Sequence, residues 1–451
     1  MRRLLAVWMA ACLLLTALPA GAEGAEGYPE IFKVSYQDKE RKEDNNRYFI
    51  SKEYLTTANE AVNAELKALA DGYDEQLFPT MQPDKSKNAR RNSRLDIEIV
   101  HRVTGDSWLS TMVLGRVSFD RRQVESPFTT RTYDLETGER IRLTDIFPAD
   151  SPVWDMMAQR VKQHVENLFP QSPRNPEAVE RLAQNVREAE FTLSAMELTL
   201  HYEAREVYPE EPSLMHVRFF YDELWDFMTP EARIQTDNTD WKMVAITCDD
   251  GPAYAETAKV LANFRHEGAR ATFFTVGKKV AGNPDILLRT FDQNHIIASH
   301  TYDHWSGYSM SAEAMHKQVD EHNALLETLT GEHVSLFRAP GGTFPPWVEA
   351  DIHLPILQWS VDTYDYTGKE AKKIFYSIRN NVQDGDVILC HDSGKQMYKS
   401  IPLFAEWFRK NGYMMVTVEE LARRNGVLMQ PNEVYYRFLD GETGKRNDSN
   451  T

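Results

Sequence analysis

The sequence predicts an α/β protein in which a (β/α)7-type barrel, closed or nearly closed, follows an α+β module. Its 451 residues leave room for two or three domains with separate hydrophobic cores. In the second half, seven short apolar runs are each followed by a helical pattern or a turn, which is typical of parallel strands with crossover helices. The first half shows helix and strand patterns in blocks. We therefore place the α+β module at residues 28–238 and the barrel at residues 240–426.

The first 22 residues have the pattern of a secretory signal peptide. A pair of arginines precedes an apolar run at residues 4–15, and Ala20-Gly21-Ala22 supplies the small residues that a signal peptidase accepts. Residues 4–20 are also close to the shortest stretch that spans a bilayer, so an uncleaved membrane anchor is the alternative. Both interpretations place the rest of the chain outside the cytoplasm, either secreted or at the cell surface.

Composition and charge exclude several classes of protein. Hydrophobic residues make up 42% of the chain and charged residues 26%, which is typical of a globular protein. The net charge of −17 would repel a polyphosphate backbone, so we expect no nucleic-acid partner. Cys12 lies within the apolar run, which leaves Cys248 and Cys390 in a processed chain. Two cysteines exclude a disulfide framework; we predict buried thiols, with one bridge between them as the alternative.

Local patterns predict the elements of the first half in chain order. Residues 54–77 repeat apolar side chains at helical spacing, whereas residues 94–100 alternate as a half-buried strand does. Ser151-Pro152 predicts the start of a second helix, with the serine as N-cap and the proline at the first helical position. Residues 191–202 and 215–221 return to strand patterns.

The second half predicts seven strands. They are residues 243–247, 271–276, 295–299, 334–337, 356–361, 386–390 and 413–416. No glycine-rich phosphate loop follows the first of them, which argues against a nucleotide site. One more apolar patch surrounds Tyr435-Tyr436, and residues 441–451 form a polar tail.

Acids, histidines and an arginine follow five of these strands. Barrel enzymes carry their reactive groups just beyond the carboxyl ends of the strands, so we expect these side chains to converge. The segments are DDGP at 249–252, HTYDH at 300–304, RAPGG at 338–342, DTYDY at 362–366 and HD at 391–392.

One carboxylate and two imidazoles predict a catalytic divalent metal on Asp250, His300 and His304, with positions left open for water and substrate. Two histidines at this spacing are by themselves more typical of a surface, and it is the other strand ends that favour a metal. Adjacent residues of an extended strand point to opposite sides, so we expect the side chain of Asp249 to point away from that of Asp250. Asp249 is then available as the base that takes a proton from water.

His391 is the candidate acid, because the departing nitrogen of an amide must be protonated. A carboxylate such as Asp365 would hold the His391 ring in one tautomer and raise its pKa. Arg338 would keep Asp249 ionised and oriented. The alternative for these residues is a purely structural role, as an Arg–Asp ion pair and as a buried, hydrogen-bonded histidine. That role would be favoured if each residue occurred in isolation.

Glycines and aromatic side chains of the same loops are candidates for substrate binding. Backbone N–H groups at Gly341-Gly342 could face a developing oxyanion. Trp305 and Tyr366 stand among aromatic residues that could stack on sugar rings or pack against the rim of the barrel.

Five segments resemble, in order, the signature motifs of the polysaccharide deacetylases, carbohydrate esterase family four, also called the nodulation-type deacetylase domain. They are TCDDGP (247–252), SHTYDH (299–304), RAPGG (338–342), DTYDY (362–366) and LCHD (389–392). The resemblance covers residues 242–426. It implies a distorted barrel, Zn²⁺ or another divalent metal such as Co²⁺ on the three predicted ligands, and the base, acid and pairing roles given above. It also implies an apolar pocket for the acetyl methyl formed by Tyr366 and Leu389.

Two positions depart from the family pattern. Cys248 replaces the usual Phe, and we expect an effect on packing alone. Gly341 stands where the family has Tyr or Phe, so an aromatic wall is lost and the choice of sugar is affected more than catalysis. The metal ligand Asp250 is intact, unlike the Asn of some muramic-lactam deacetylases.

The first half is similar to the extracytoplasmic module of certain bacterial peptidoglycan deacetylases and lysozyme-sensing anti-sigma factors. The similarity lies in residues 131–147 and 191–228 and implies a wall-binding or protein-binding role. It favours a deacetylase acting on N-acetyl groups of cell-wall peptidoglycan. The alternatives are a deacetylase of chitooligosaccharide or poly-N-acetylglucosamine, an acetylxylan esterase, and a glycan-binding sensor without catalysis.

Overall fold

The structure, a computed structural model, describes residues 33–43, 46–81, 93–119, 122–305 and 310–439. The predicted signal peptide, residues 1–22, and the polar tail, residues 441–451, lie outside the described residues. Across these ranges, none of the helices is both long and apolar enough for a bilayer crossing.

The N-terminal region, residues 33–236, combines two sheets with six helices in its described part. Its strands are β1 (Lys33–Glu43), β2 (Asn46–Thr56), β3 (Ser93–Thr104), β4 (Trp108–Phe119), β5 (Arg122–Glu125), β6 (Phe128–Asp134), β7 (Arg140–Ile141), β8 (Glu190–Leu193), β9 (Glu197–Glu203) and β10 (Leu214–Phe220). Its helices are α1 (Glu60–Leu77), α2 (Leu143–Ile146), α3 (Val153–Val165), α4 (Pro176–Gln184), α5 (Tyr221–Leu224) and α6 (Pro230–Thr236). The larger sheet has the order β1-β2-β3-β4-β6-β7 with β5 beside β4, and the smaller has the order β10-β9-β8.

Local capping explains where the predicted helices begin. Residues 54–56 belong to β2, and α1 starts at Glu60 because the side chain of Asn59 accepts hydrogen bonds from the first N–H groups of the helix. Helix α3 begins at Val153, whose N–H donates to the Ser151 hydroxyl at 3.3 Å. Pro152 therefore precedes the helix rather than opening it. The strands predicted at residues 94–100, 191–202 and 215–221 are present, the second interrupted by the turn between β8 and β9.

The C-terminal region, residues 242–439, alternates strands with helices. Its strands are β11 (Lys242–Asp249), β12 (Thr272–Thr275), β13 (Ile296–Ser299), β14 (Ile356–Leu357), β15 (Val361–Asp362), β16 (Val387–His391), β17 (Tyr413–Val416) and β18 (Val434–Tyr435). Its helices are α7 (Tyr254–His266), α8 (Gly277–Gly282), α9 (Pro284–Asp292), α10 (Ala312–Thr330), α11 (Pro346–Asp351), α12 (Ala371–Arg379), α13 (Met397–Lys410) and α14 (Val418–Arg424).

Parallel strands bring the predicted site segments to one edge of a sheet. The strand order in this sheet is β13-β12-β11-β16-β15. The first half of β11 pairs with β17, and its second half pairs with β12. All of these pairs are parallel, so the carboxyl ends of β11, β13, β15 and β16 lie at the same edge. Helices cover the sheet, and the apolar side chains of α7 and α13 pack on it in a buried cluster.

The closed (β/α)7 barrel of the sequence prediction is not confirmed. The predicted fourth strand contributes only isolated bridges, from Phe337 to Ser299 and to Ile356. The predicted fifth strand splits because the chain changes neighbours: the Gln358 N–H donates to the Tyr435 carbonyl, whereas the Ser360 N–H donates to the Val387 carbonyl. The described strands therefore form an α/β architecture without a closed ring.

Buried ion pairs link the two regions. Arg265 on α7 pairs with Glu53 on β2, with 2.8 Å between Nε and Oε2, and both side chains are almost fully buried. The Glu53 carboxylate also accepts a hydrogen bond from the backbone N–H of Ile99, at 3.0 Å. Arg116 on β4 pairs with Asp292 at the end of α9, with 3.0 Å between Nη1 and Oδ2. The domain division at residues 238–240 remains a prediction.

We predict that Arg265→Leu lowers the free energy of unfolding by about 3–5 kcal/mol, because it leaves the buried Glu53 carboxylate without its guanidinium. Urea unfolding followed by tryptophan fluorescence measures the change. Lys410→Gln is the control, since the exposed Lys410–Glu406 pair contributes about 1 kcal/mol or less. A loss from Arg265→Leu no larger than that of the control would contradict a stabilising role for the buried pair.

Candidate active site

The end of β11 directs two carboxylates to one point. His300 Nε2 lies 3.6 Å from Asp250 Oδ1 and 3.9 Å from Asp249 Oδ2. The prediction that the two aspartates point apart was wrong, because side chains alternate only while the backbone stays extended. Asp250 has φ 74°, so the chain leaves the extended conformation at this residue and both carboxylates approach the His300 ring.

Asp250, His300 and His304 form the predicted cluster of candidate metal ligands. One ligand atom from each lies within 4.8 Å of the others, and within the described ranges this is the only such group of three or more residues. The second ring nitrogen of His300, Nδ1, is 2.8 Å from the Arg338 carbonyl oxygen, to which it donates, so Nε2 is left unprotonated and faces the carboxylate. Asp250 Oδ1 is buried and accepts no hydrogen bond, although His304 Nε2 is 2.8 Å away. A divalent cation fits this donor set.

Local electrostatics favour the protonation states that bind metal. Burial by itself raises the pKa of Asp250, but the nearby rings of His304 and His300 outweigh it and lower the pKa well below the usual range. Burial lowers the pKa of His300 more than the neighbouring carboxylates raise it. An ionised carboxylate and a neutral imidazole are the forms in which these side chains coordinate a metal.

Arg338 is fully buried and holds Asp249. Its Nη1 donates to Asp249 Oδ1 at 2.6 Å and to the Thr247 hydroxyl at 2.9 Å. Its remaining donors bind the carbonyl oxygens of Leu357 and Gln358, each at 3.0 Å. The arginine thus joins β11 to the end of β14 and holds the Asp249 carboxylate in place.

His391 and Asp365 form the second predicted pair. His391 Nδ1 is 2.8 Å from Asp365 Oδ1, and the backbone N–H of His391 donates to the other carboxylate oxygen at 2.9 Å. Burial by itself lowers the pKa of His391, but the hydrogen bond and negative charge of Asp365 outweigh it and raise the pKa to about 9. The imidazole is therefore held in its protonated, cationic form at neutral pH.

The predicted substrate-binding residues differ in how closely they approach these groups. Tyr366 meets the His391 ring edge to face, with centroids 5.4 Å apart, and Leu389 is buried in β16 two residues before it. Trp305 follows His304 directly and is 54% exposed. Gly341 is exposed with φ 71°, and the Gly342 N–H is already used by the Ala339 carbonyl, so the two glycine N–H groups cannot both serve an oxyanion.

Sequence reasoning assigned no role to Asp392, which supports the turn after Asp250. Its Oδ2 accepts a hydrogen bond from the Thr257 hydroxyl at 2.6 Å, and that hydroxyl accepts from the Ala253 N–H at 2.7 Å. A Cβ on Gly251 would come within 2.1 Å of the Asp392 carboxylate, so only glycine fits there. Burial raises the pKa of Asp392 to about 7. The only signal in the sequence was its position next to His391.

The two cysteines pack side by side beneath the site. Cys248 and Cys390 occupy paired positions on β11 and β16, and both are buried free thiols with 3.4 Å between their sulfur atoms. Burial raises the pKa of each thiol. The prediction of two buried thiols is confirmed, and Cys248 faces the apolar cluster under the sheet rather than the metal ligands.

A cavity of about 590 Å³ lies between the two regions, away from these residues. Its lining combines Arg160 and His216 of the N-terminal region with His295, Glu332 and Arg423 of the C-terminal region. None of the predicted site residues lines it, and the candidate active site lies elsewhere, at the carboxyl edge of the sheet.

Comparisons with known proteins match the second half of the chain to one family. The family model described as polysaccharide deacetylase matches residues 236–353. The peptidoglycan-N-acetylglucosamine deacetylase PgdA of Listeria monocytogenes is 32% identical over 204 residues, which cover 45% of this chain and 43% of that protein. The chain therefore spans less than half of the length of the Listeria protein.

Shorter relatives are covered more completely. A peptidoglycan-N-acetylglucosamine deacetylase of Bacillus cereus is 32% identical over 190 residues, which cover 40% of this chain and 89% of that protein. A solved structure described as T48 deacetylase with substrate is 31% identical, with a TM-score of 0.42 over 44% of this chain and 98% of that chain. Because almost all of the Bacillus cereus protein is covered at 32% identity, the chain belongs to the polysaccharide deacetylase family.

Proposed function

We propose that this protein is a metal-dependent deacetylase that hydrolyses the N-acetyl groups of amino sugars in cell-wall peptidoglycan. One observation carries the proposal: candidate metal ligands, a carboxylate fixed by a buried arginine and a histidine fixed by an aspartate meet at one edge of the sheet. Metal-assisted hydrolysis of an amide uses these three elements together. The two relatives named as peptidoglycan-N-acetylglucosamine deacetylases support the substrate class.

Asp250, His300 and His304 would hold the metal, for which we propose Zn²⁺ or another divalent ion such as Co²⁺. The family is metal-dependent, and one carboxylate with two imidazoles suits a catalytic site that keeps positions open. When bound, such an ion polarises a carbonyl and lowers the pKa of water. Lys279 donates to the Asp250 carbonyl at 2.6 Å and supports the backbone of this ligand.

Asp249 and His391 divide the proton transfers between them. Asp249 takes a proton from the attacking water, and the Arg338 guanidinium holds the carboxylate in position for this by a hydrogen bond to Oδ1. His391 donates a proton to the departing nitrogen of the sugar, and Asp365 keeps the ring cationic and fixes its orientation. Acetate and a free amine are the products.

The substrate would lie in the groove between these groups. We propose that Tyr366 and Leu389 contact the acetyl methyl, since Tyr366 packs on the acid His391. The Gly341 N–H would face the developing oxyanion, and the exposed Trp305 ring would contact the glycan. The absence of an aromatic side chain at Gly341 leaves the groove open on that side, since a Cβ there would meet no atom within 4 Å.

The proposal extends to the fold and the location. The bridges at Phe337 and the pairing of β18 with β14 support a distorted barrel that continues the sheet beyond β13. A peptidoglycan substrate requires a secreted or surface-anchored enzyme, in line with the predicted signal at residues 1–22. The N-terminal module, residues 28–238, would bind the wall or a protein partner.

Acetate release tests the proposed function. The metal-loaded protein is incubated with peptidoglycan, chitooligosaccharides or acetylated xylan, and we expect acetate from peptidoglycan at the highest kcat/KM. Acetate from xylan alone would refute the substrate class. Binding of glycan without release of acetate from any of the three would refute catalysis and favour a sensor.

We predict that His300→Ala reduces the metal content of the purified protein to near background, because it removes the most buried of the three candidate ligands. Elemental analysis after dialysis measures the content. His333→Ala, an exposed histidine paired with Glu327, is the matched control and should retain metal. Full metal content in His300→Ala would refute the ligand assignment.

Replacing the proposed base should separate metal binding from turnover. Asp249→Asn is expected to keep its metal and to lose about 10²- to 10⁴-fold in kcat, which is the range that general base catalysis contributes. Metal analysis and acetate release are measured on the same preparation. A rate close to that of the unmodified enzyme would show that another group accepts the proton.

The His391–Asp365 pair predicts a dependence on pH. The pKa of His391 in the folded protein, about 9, lies above its ordinary value near 6.5. The stability that the pair contributes is therefore fully present below about pH 6.5 and is lost as the pH rises through about 9.

We predict that Asp365→Asn lowers the His391 pKa, as measured by NMR titration of the chelator-treated protein. Asp384→Asn, which removes a carboxylate paired with Arg424, is the control and should leave the pKa of His391 near 9. An unchanged pKa of His391 in Asp365→Asn would contradict the assignment.

A further inference from the structure

Tyr364 is an exposed aromatic residue held in an uncommon backbone conformation beside the catalytic histidine. Its φ is 54°, in the left-handed region that bulky residues rarely adopt, and 45% of its surface is exposed. The N–H of Tyr364 donates to Asp362 Oδ1 at 2.7 Å, and its carbonyl accepts from the Thr367 hydroxyl at 2.7 Å. The loop thus maintains a costly conformation that presents the ring outside the core.

The Tyr364 ring positions a lysine. Lys369 Nζ lies 4.3 Å from the ring centroid, within the range of a cation–π interaction, and its side chain is half-buried. Among the residues that the structure describes, no carboxylate forms an ion pair with Lys369. By contrast, Lys278 on α8 is paired with Asp303. The positive charge of Lys369 is fixed in position but is not neutralised.

A continuous row of aromatic rings connects this charge to the reaction centre. The centroids of Tyr364 and Tyr366 are 6.2 Å apart, and those of Tyr366 and His391 are 5.4 Å apart. Lys369 therefore lies outward from the acid along the same rim, where a sugar next to the reacting one would pass. Since the whole chain carries a net charge of −17, a carboxylate-bearing glycan is repelled overall and benefits from a local cation.

We propose that Lys369, positioned by Tyr364, forms a subsite for a carboxylate carried by the sugar adjacent to the one that is deacetylated. The inference rests on the proposed deacetylase function and specifies its substrate as a muramyl-containing, anionic glycan. Two sources offer the same chemistry: a lactyl carboxylate freed of its peptide, or the carboxylates of a peptide still attached there. A neutral oligomer of N-acetylglucosamine offers neither.

The test compares kcat/KM on matched anionic and neutral substrates. Peptide-free and peptide-bearing glycan strands are each used as prepared and after conversion of their carboxylates to methyl amides. For the unmodified enzyme we expect higher kcat/KM on the anionic form, and for Lys369→Gln a ratio of anionic to neutral that is lower by about 2- to 5-fold. The change should lie in KM, because the contact binds substrate and transition state alike. Added salt should weaken the preference of the unmodified enzyme, whereas in Lys369→Gln it screens only the general repulsion and should not lower the ratio.

Further variants separate the charge from its position. Lys369→Arg should restore the ratio, Tyr364→Phe should keep it, and Tyr364→Leu should reduce it, because only the aromatic ring holds the cation. Lys410→Gln makes the same change of charge at the far end of α13 and should leave the ratio unaltered.

The outcomes distinguish the two proposals. A lower ratio on peptide-free strands alone identifies the lactyl carboxylate, and a lower ratio on peptide-bearing strands alone identifies the peptide. An unchanged ratio on both, with acetate still released, overturns the subsite and leaves the deacetylase function standing. Failure of the unmodified, metal-loaded enzyme to release acetate from any of the strands overturns both.

Discussion

The contact between Arg338 and Asp249 is the constraint on which the candidate active site depends. A fully buried guanidinium would be costly without a counter-charge, and Asp249 provides it at 2.6 Å. The same arginine binds two backbone carbonyls after β14 and lies over the Phe274 ring, 4.1 Å from its centroid. Because its own carbonyl accepts from His300, Arg338 orients both the proposed base and a candidate metal ligand.

Much of this site could be predicted because parallel strands expose their carboxyl ends at one edge. The residues after β11, β13, β15 and β16 are adjacent in space for that reason alone, whatever the loops between them do. The pairing of His391 with Asp365 also followed from chemistry, since an imidazole that must carry a proton needs a carboxylate partner. Assignments of this kind depend on which strands are neighbours and are insensitive to exact loop geometry.

Other features depend on backbone detail and on contacts distant in sequence. Asp250 has a left-handed φ, so the alternation of side chains along a strand does not apply to it, and the direction of its side chain could not be predicted from the sequence pattern. The split between β14 and β15 arises because the chain exchanges one neighbouring segment for another around Trp359, while the apolar pattern continues unbroken. The pairs Glu53–Arg265 and Arg116–Asp292 join residues far apart in sequence, so no local pattern marks them.

Two neighbouring ionisable groups of the site have pKa values that are shifted in opposite directions. An alkoxide can depart without full protonation, but an amine anion cannot, so amide hydrolysis requires an acid that still holds its proton at neutral pH. Asp365 supplies this by raising the pKa of His391, while the rings of His300 and His304 keep Asp250 ionised despite its burial. The environment therefore raises the pKa of the proposed acid and lowers that of a candidate metal ligand within one site. A histidine held in its cationic form is the proton donor that the proposed cleavage of an N-acetyl group requires.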